Sequence, residues 1–129
     1  QQQMNLNKLI PENKFDIEKI ELLKNLTFDE IEPIIRNLLE WLQDGNWPVS
    51  RPLGKYLKTL SAEKIGPYLM EILKGKDYEW KYFLIAILGD KVNGVQYLPF
   101  INEIRRIAYE PTEIEKGCEL DDIAKLMIE

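Results

Sequence analysis

Three acidic pairs are the first residues in this chain that could do chemistry: Asp29-Glu30, Asp121-Asp122, and Glu113 with Glu115. Two carboxylates share acid and base roles when a cleft holds them about 5 to 10 Å apart and raises one pKa. Each of these pairs instead falls where a helix is expected to begin, and the exposed N–H groups there favour negative charge anyway. No catalytic role is expected of them. Arg51, Arg105 and Arg106 could meet an acidic ligand, although solvated helix faces explain them equally well. Cys118 follows Gly117 with no visible base to activate it, so an idle thiol is expected.

The chain contains no histidine. Ser-His-Asp and Cys-His catalysis are therefore ruled out, and the commonest metal ligand is missing. With a single cysteine, a structural zinc site has too few ligands. No acidic loop has EF-hand spacing and no glycine-rich phosphate loop occurs. Neither a metal nor a cofactor is expected, and the chain reads as non-enzymatic.

The segment Asp44-Gly-Asn-Trp-Pro48 invites a binding role, together with Gly75-Lys-Asp-Tyr-Glu-Trp80 one repeat later. If both connections lie along one edge of a helical stack, Asp44, Asn46, Trp47, Arg51, Glu79 and Trp80 form a partner-binding rim. Aromatics beside polar groups make good anchors. Equally, the two tryptophans are core staples at equivalent repeat positions, with Asp44 and Asn46 as helix caps.

Seventeen basic against twenty-two acidic residues give a net charge of −5. Such a chain repels phosphate backbones, and no Lys/Arg run offsets that field, so nucleic acid is not an expected partner. No apolar stretch approaches 20 residues, so no membrane span is expected. No signal peptide is visible, and one cysteine cannot make an internal disulfide; a cytoplasmic location is expected. Met4 reads as the natural start, and Gln1, Gln2 and Gln3 are set aside from the single domain expected over 1–129.

Helical periodicity organises the chain. Ile17, Ile20 and Leu23 share one face; Thr27-Phe-Asp-Glu30 is a capping-box pattern that opens a run of Ile31, Ile34, Ile35, Leu38, Leu39 and Leu42. Pro33 near its start bends the helix more than it breaks it, and Gly45 ends it. A third helix is expected from Trp47-Pro48 to Leu60, kinked at Pro52. A fourth starts at Ser61 and ends at Gly75, and a fifth runs from Asp77 to Gly89. A sixth covers about Gly94 to Tyr109, and one last helix follows Thr112-Glu-Ile-Glu115. Leu38, Leu42, Leu57, Leu69, Ile72, Leu84, Ile87, Leu88, Leu98 and Ile101 are the expected core.

Pro33 and Pro67 are 34 residues apart, Pro67 and Pro99 are 32, and Trp47 and Trp80 are 33. A period near 33 means stacked helical hairpins, since one hairpin cannot bury its apolar faces alone. Trp47-Pro-Val-Ser-Arg fails the tetratricopeptide pattern, and the ankyrin Thr-Pro-Leu-His is absent. Ala86-Ile-Leu-Gly-Asp90 followed by Val95-Gln-Tyr-Leu-Pro-Phe-Ile101 resembles the short HEAT-like repeat. Leu9-Ile-Pro11, the string from Leu38 to Val49, and Glu79-Trp-Lys-Tyr82 resemble a family of small bacterial proteins known only as a domain of unknown function with a HEAT-like helical fold.

The expected fold is thus all-α, an α-α superhelix of about three stacked HEAT-like hairpins plus a C-terminal helix. The resemblance implies a module that binds another protein, of adaptor or immunity type. Its rivals are a HEAT-like DNA-glycosylase-type enzyme and a purely self-associating structural protein.

Overall fold

Thr27 opens the first long helical run as its spacing predicts. In the computed structural model, described for residues 5–89 and 96–129, the Thr27 hydroxyl accepts from the Glu30 N–H and the Glu30 carboxylate accepts from the Thr27 N–H. The run is not one smooth helix. It passes through α2 (Phe28–Ile31), a 3-10 turn (Glu32–Ile34), α3 (Ile35–Leu39) and a second 3-10 turn (Glu40–Leu42). Pro33 sits in the first of these turns, where its missing N–H is tolerated.

The short α1 (Glu18–Leu23) precedes this run. Then come α4 (Ser50–Leu57) with α5 (Ala62–Leu73), α6 (Tyr78–Leu88) with α7 (Leu98–Tyr109), and α8 (Glu113–Gly117) with α9 (Leu120–Ile128). The leading helices touch in order, α1 on α4 and α4 on α6, and α9 closes the stack against both α6 and α7. Behind them α5 packs on α7. The protein is all-α: among the described residues there is no strand, and no helix is long and apolar enough to cross a membrane. One continuous core runs through the stack, from Leu23 and Ile35 through Leu53, Leu69 and Leu84 to Ile107 and Leu120.

Several expectations need correction. Ile17 stands at the cap of α1 and is exposed, while Ile20 and Leu23 are buried. The third helix starts at Ser50, not Trp47, so Pro52 falls in its first turn, where no kink is required. Gly45 has no left-handed backbone. A Cβ there would collide with the Phe83 ring, so glycine permits close packing and does not set a dihedral. The final segment is two helices, because Glu119 adopts a left-handed conformation (φ 61°) between them.

Of the expected core, Leu38, Leu42, Leu57, Leu69, Ile72, Leu84, Ile87 and Leu88 are buried. Leu98 is 69% exposed and Ile101 only half-buried. Helix α7 starts at Leu98, and its inward face is Phe100, Ile104, Ile107 and Ala108, a stripe rotated away from the two expected residues. Pro33 and Pro67 each lie six residues past their caps, Thr27 and Ser61, but Pro99 lies two past Tyr97. Two of the three prolines therefore share a register and the third does not. The expected helix start at Gly94 and the Gln1–Gln3 segment lie outside the described residues.

Candidate functional site

A ladder of polar contacts joins the 28–42 run to α5. Lys64 pairs with Asp29 at 3.4 Å, the Tyr68 hydroxyl donates to Glu32 at 2.6 Å, and Arg36 donates to both oxygens of Glu71 at 2.9 and 2.8 Å. The Arg36 guanidinium also lies over the Tyr68 ring, 4.8 Å from its centroid. The hydrogen bonds to Arg36 hold the Glu71 carboxyl below its ordinary range, while Glu32, as acceptor, holds the Tyr68 phenol above its own. These charges are solvent-facing, so they set register between the helices more than they stabilise the fold.

Beside this ladder a groove of about 280 Å³ opens between α3, α5 and the start of α6. Leu39 and Ile72 line its base, the Arg36–Glu71 pair and Tyr68 one wall, and Lys76, Asp77 and Trp80 the other, with Glu40 at the edge. Asp77 caps α6 by accepting from the Trp80 N–H at 3.0 Å. The Trp80 indole N–H donates to the Leu39 carbonyl at 3.0 Å. That bond fixes the ring against the groove while the side chain stays half-buried. The polar end is satisfied, and part of the apolar face remains available for contact.

Of the six rim candidates, only Trp80 lines this groove. Trp47 lies three residues before α4 begins, whereas Trp80 is the third residue of α6. The two are not equivalent in the helical register despite their 33-residue spacing. Trp47 is half-buried and packs edge-on against Trp41, with ring centroids 5.4 Å apart. Asp44 serves its own turn: its carboxylate accepts from the Asn46 N–H at 2.8 Å, and its carbonyl from the Trp47 N–H at 3.1 Å. The buried Ser50 hydroxyl lies 2.6 Å from the Trp41 carbonyl and 2.7 Å from that of Asp44, and can donate to either. Asn46 and Arg51 are exposed beside this turn. Glu79 faces a different opening, with Tyr78, Tyr82, Phe83, Cys118 and Glu119.

The other candidates also find places. Glu30 completes one capping box and Glu115 another; Asp29 pairs with Lys64 and Glu113 with Lys116. Asp121 and Asp122 occupy the first turn of α9. Arg105 is exposed. Arg106 is committed internally: it donates to Glu115 at 3.1 and 2.6 Å, to Glu103 at 3.1 and 3.0 Å, and to the Glu110 carbonyl at 3.2 Å. Those bonds raise the Arg106 pKa and lower that of Glu115. Nearby, Lys81 is 5% exposed with its ammonium 4.3 Å from the Tyr78 ring centroid, and burial lowers its pKa. Cys118 is exposed. Among the described residues, no group of three or more acidic or thiol side chains is placed to hold a metal ion.

Sequence reasoning passed over Arg36, Tyr68 and Glu71, and gave no role to Lys76 within the Gly75–Trp80 segment. The signal was present as complementary pairs 35 or 36 residues apart: Asp29 with Lys64, Glu32 with Tyr68, and Arg36 with Glu71. Comparison with curated proteins finds no match. A family model does match, over residues 9–128 of the 129, and the chain accordingly belongs to the family described as Domain of unknown function (DUF5071).

Proposed function

We propose that this chain is a non-enzymatic binding module that takes a segment of another protein in the groove beside Trp80. On this reading the paired helices are a HEAT-like stack, and the protein acts in a bacterial cytoplasm as an adaptor or immunity-type partner. The observation that carries it is Trp80 itself: its N–H is bonded to Leu39, yet the side chain is only half-buried in the wall of a mainly apolar groove. Indole rings held this way are typical interface anchors, because little side-chain entropy is left to lose on binding. Lys76 and Glu40, both exposed, add one charge of each sign at the edge and suit a peptide backbone flanked by polar side chains.

The test is affinity capture from the native cell, followed by measured binding of the captured protein. Glu40→Lys with Lys76→Glu reverses both edge charges without touching the core. The double variant should keep its helical circular dichroism and lose at least about tenfold in affinity, or 1.4 kcal/mol. Glu63→Lys, exposed at the start of α5, serves as the control and should bind like wild type. Unchanged affinity in the double variant refutes the groove as the site.

A further inference from the structure

The second opening has a composition that the groove lacks. Three aromatic rings, those of Tyr78, Tyr82 and Phe83, line it together with the carboxylate-bearing residues Glu79 and Glu119 and with Cys118; its volume is about 290 Å³. Tyr82 and Phe83 meet edge-to-face, with centroids 5.3 Å apart and planes at 83°. Aromatic faces attract cations within about 6 Å of the centroid, most strongly where water is partly excluded. We infer that this opening is a binding site for an organic cation, an alkylated ammonium head or its equivalent on a partner's side chain.

The carboxylates favour that class of ligand over an apolar one, and the surrounding packing fixes the opening's shape. Glu79 and Glu119 are exposed, and among the described residues neither carboxylate meets a cation or a hydrogen-bond donor, so both charges face outward to a ligand. Glu119 is the only non-glycine residue among those described with positive φ, and that rarely populated backbone state is what turns the chain between α8 and α9 beside this opening. The Tyr78 ring already accepts a cation from inside the protein, the Lys81 ammonium at 4.3 Å. Burial lowers the Lys81 pKa against the opposing pull of Glu115 and Glu103. Finally, Gly45 gives Phe83 its place: any Cβ there would drive the ring out of position. The Asp44–Asn46 turn thus backs the Phe83 ring from outside the opening's lining.

The probes are choline chloride, its uncharged carbon isostere 3,3-dimethylbutan-1-ol, and a short peptide carrying trimethyllysine. Each is titrated into the full chain and followed by amide shifts of residues 78–83 and 118–119. Choline should shift these residues saturably, and the neutral isostere should not compete. Glu79→Gln with Glu119→Gln should weaken choline by about tenfold while leaving the spectrum elsewhere unchanged. A peptide that binds more tightly than choline places the cation on a protein side chain; choline binding equally or better places it on a free small molecule. Either result sustains the site. Equal binding of the neutral isostere, no saturable shift, or an unchanged double variant overturns it. The Glu40→Lys, Lys76→Glu variant should bind choline normally, so failure here and failure of the groove are separable.

Discussion

Glu115 offers the most informative single substitution, because one carboxylate completes the cap of α8 and also holds Arg106. Its Oε1 accepts from the Thr112 N–H at 2.8 Å and from Arg106 Nη1 at 3.1 Å; its Oε2 accepts from Arg106 Nη2 at 2.6 Å. Glu115→Gln can keep one oxygen on the Thr112 N–H but turns an amide donor toward the guanidinium. Removing one partner of a buried pair costs about 3–5 kcal/mol. Arg106 is 36% exposed and still held by Glu103, so solvent screening reduces this to about 1–2 kcal/mol. Glu115→Ala also abandons the cap, adding about 1 kcal/mol. Urea denaturation should therefore rank wild type above Gln and Gln above Ala, with m-values unchanged. The acid limb gives a second readout. Glu115 titrates below its unfolded value of about 4.3, so the pair's contribution is complete above that pH and is lost as pH falls through the lower folded value. The Gln variant should lose less stability over that window. Equal midpoints for Gln and Ala, or an unchanged acid slope in Gln, would refute the two-role reasoning.

Leu69 is fully buried in α5 at the centre of the stack, and Leu69→Ala should cost about 2–5 kcal/mol if the cavity cannot collapse. A denaturation midpoint equal to wild type would mean that this site relaxes completely. Gly45→Ala forces a methyl against the Phe83 ring and should cost about 1–3 kcal/mol by overpacking, read by thermal or urea unfolding. It should also weaken choline at the aromatic opening, and unchanged stability together with unchanged choline affinity would show that Phe83 does not depend on this turn.

What the sequence determined by itself was mostly local. Thr27 with Glu30 and Thr112 with Glu115 cap helices because each box is complete within four residues. Asp77 caps α6 just as locally, by accepting from the Trp80 N–H three residues on. The apolar periodicity from Ile31 to Leu42, and at Leu57, Leu69 and Leu84, selected buried faces because a helix repeats every 3.6 residues whatever it packs against. The all-α class followed from those signals. Tertiary structure decided how the faces were turned and what met across them. Leu98 is as apolar as Phe100, and only the start of α7 after Tyr97 put one outside and the other in the core. Trp47 and Trp80 share a spacing, but α4 begins three residues after the first and α6 before the second, so one packs on Trp41 and the other walls a groove. Arg106 looked available because its i−3 neighbour Glu103 alone would leave it solvated, and only tertiary structure brought Glu115 of α8 onto it as well. Gly45 looked like a helix stop, and its reason lay thirty-eight residues away in Phe83. Contacts of this kind depend on the relative placement of helices, which periodicity leaves open and packing of whole faces settles.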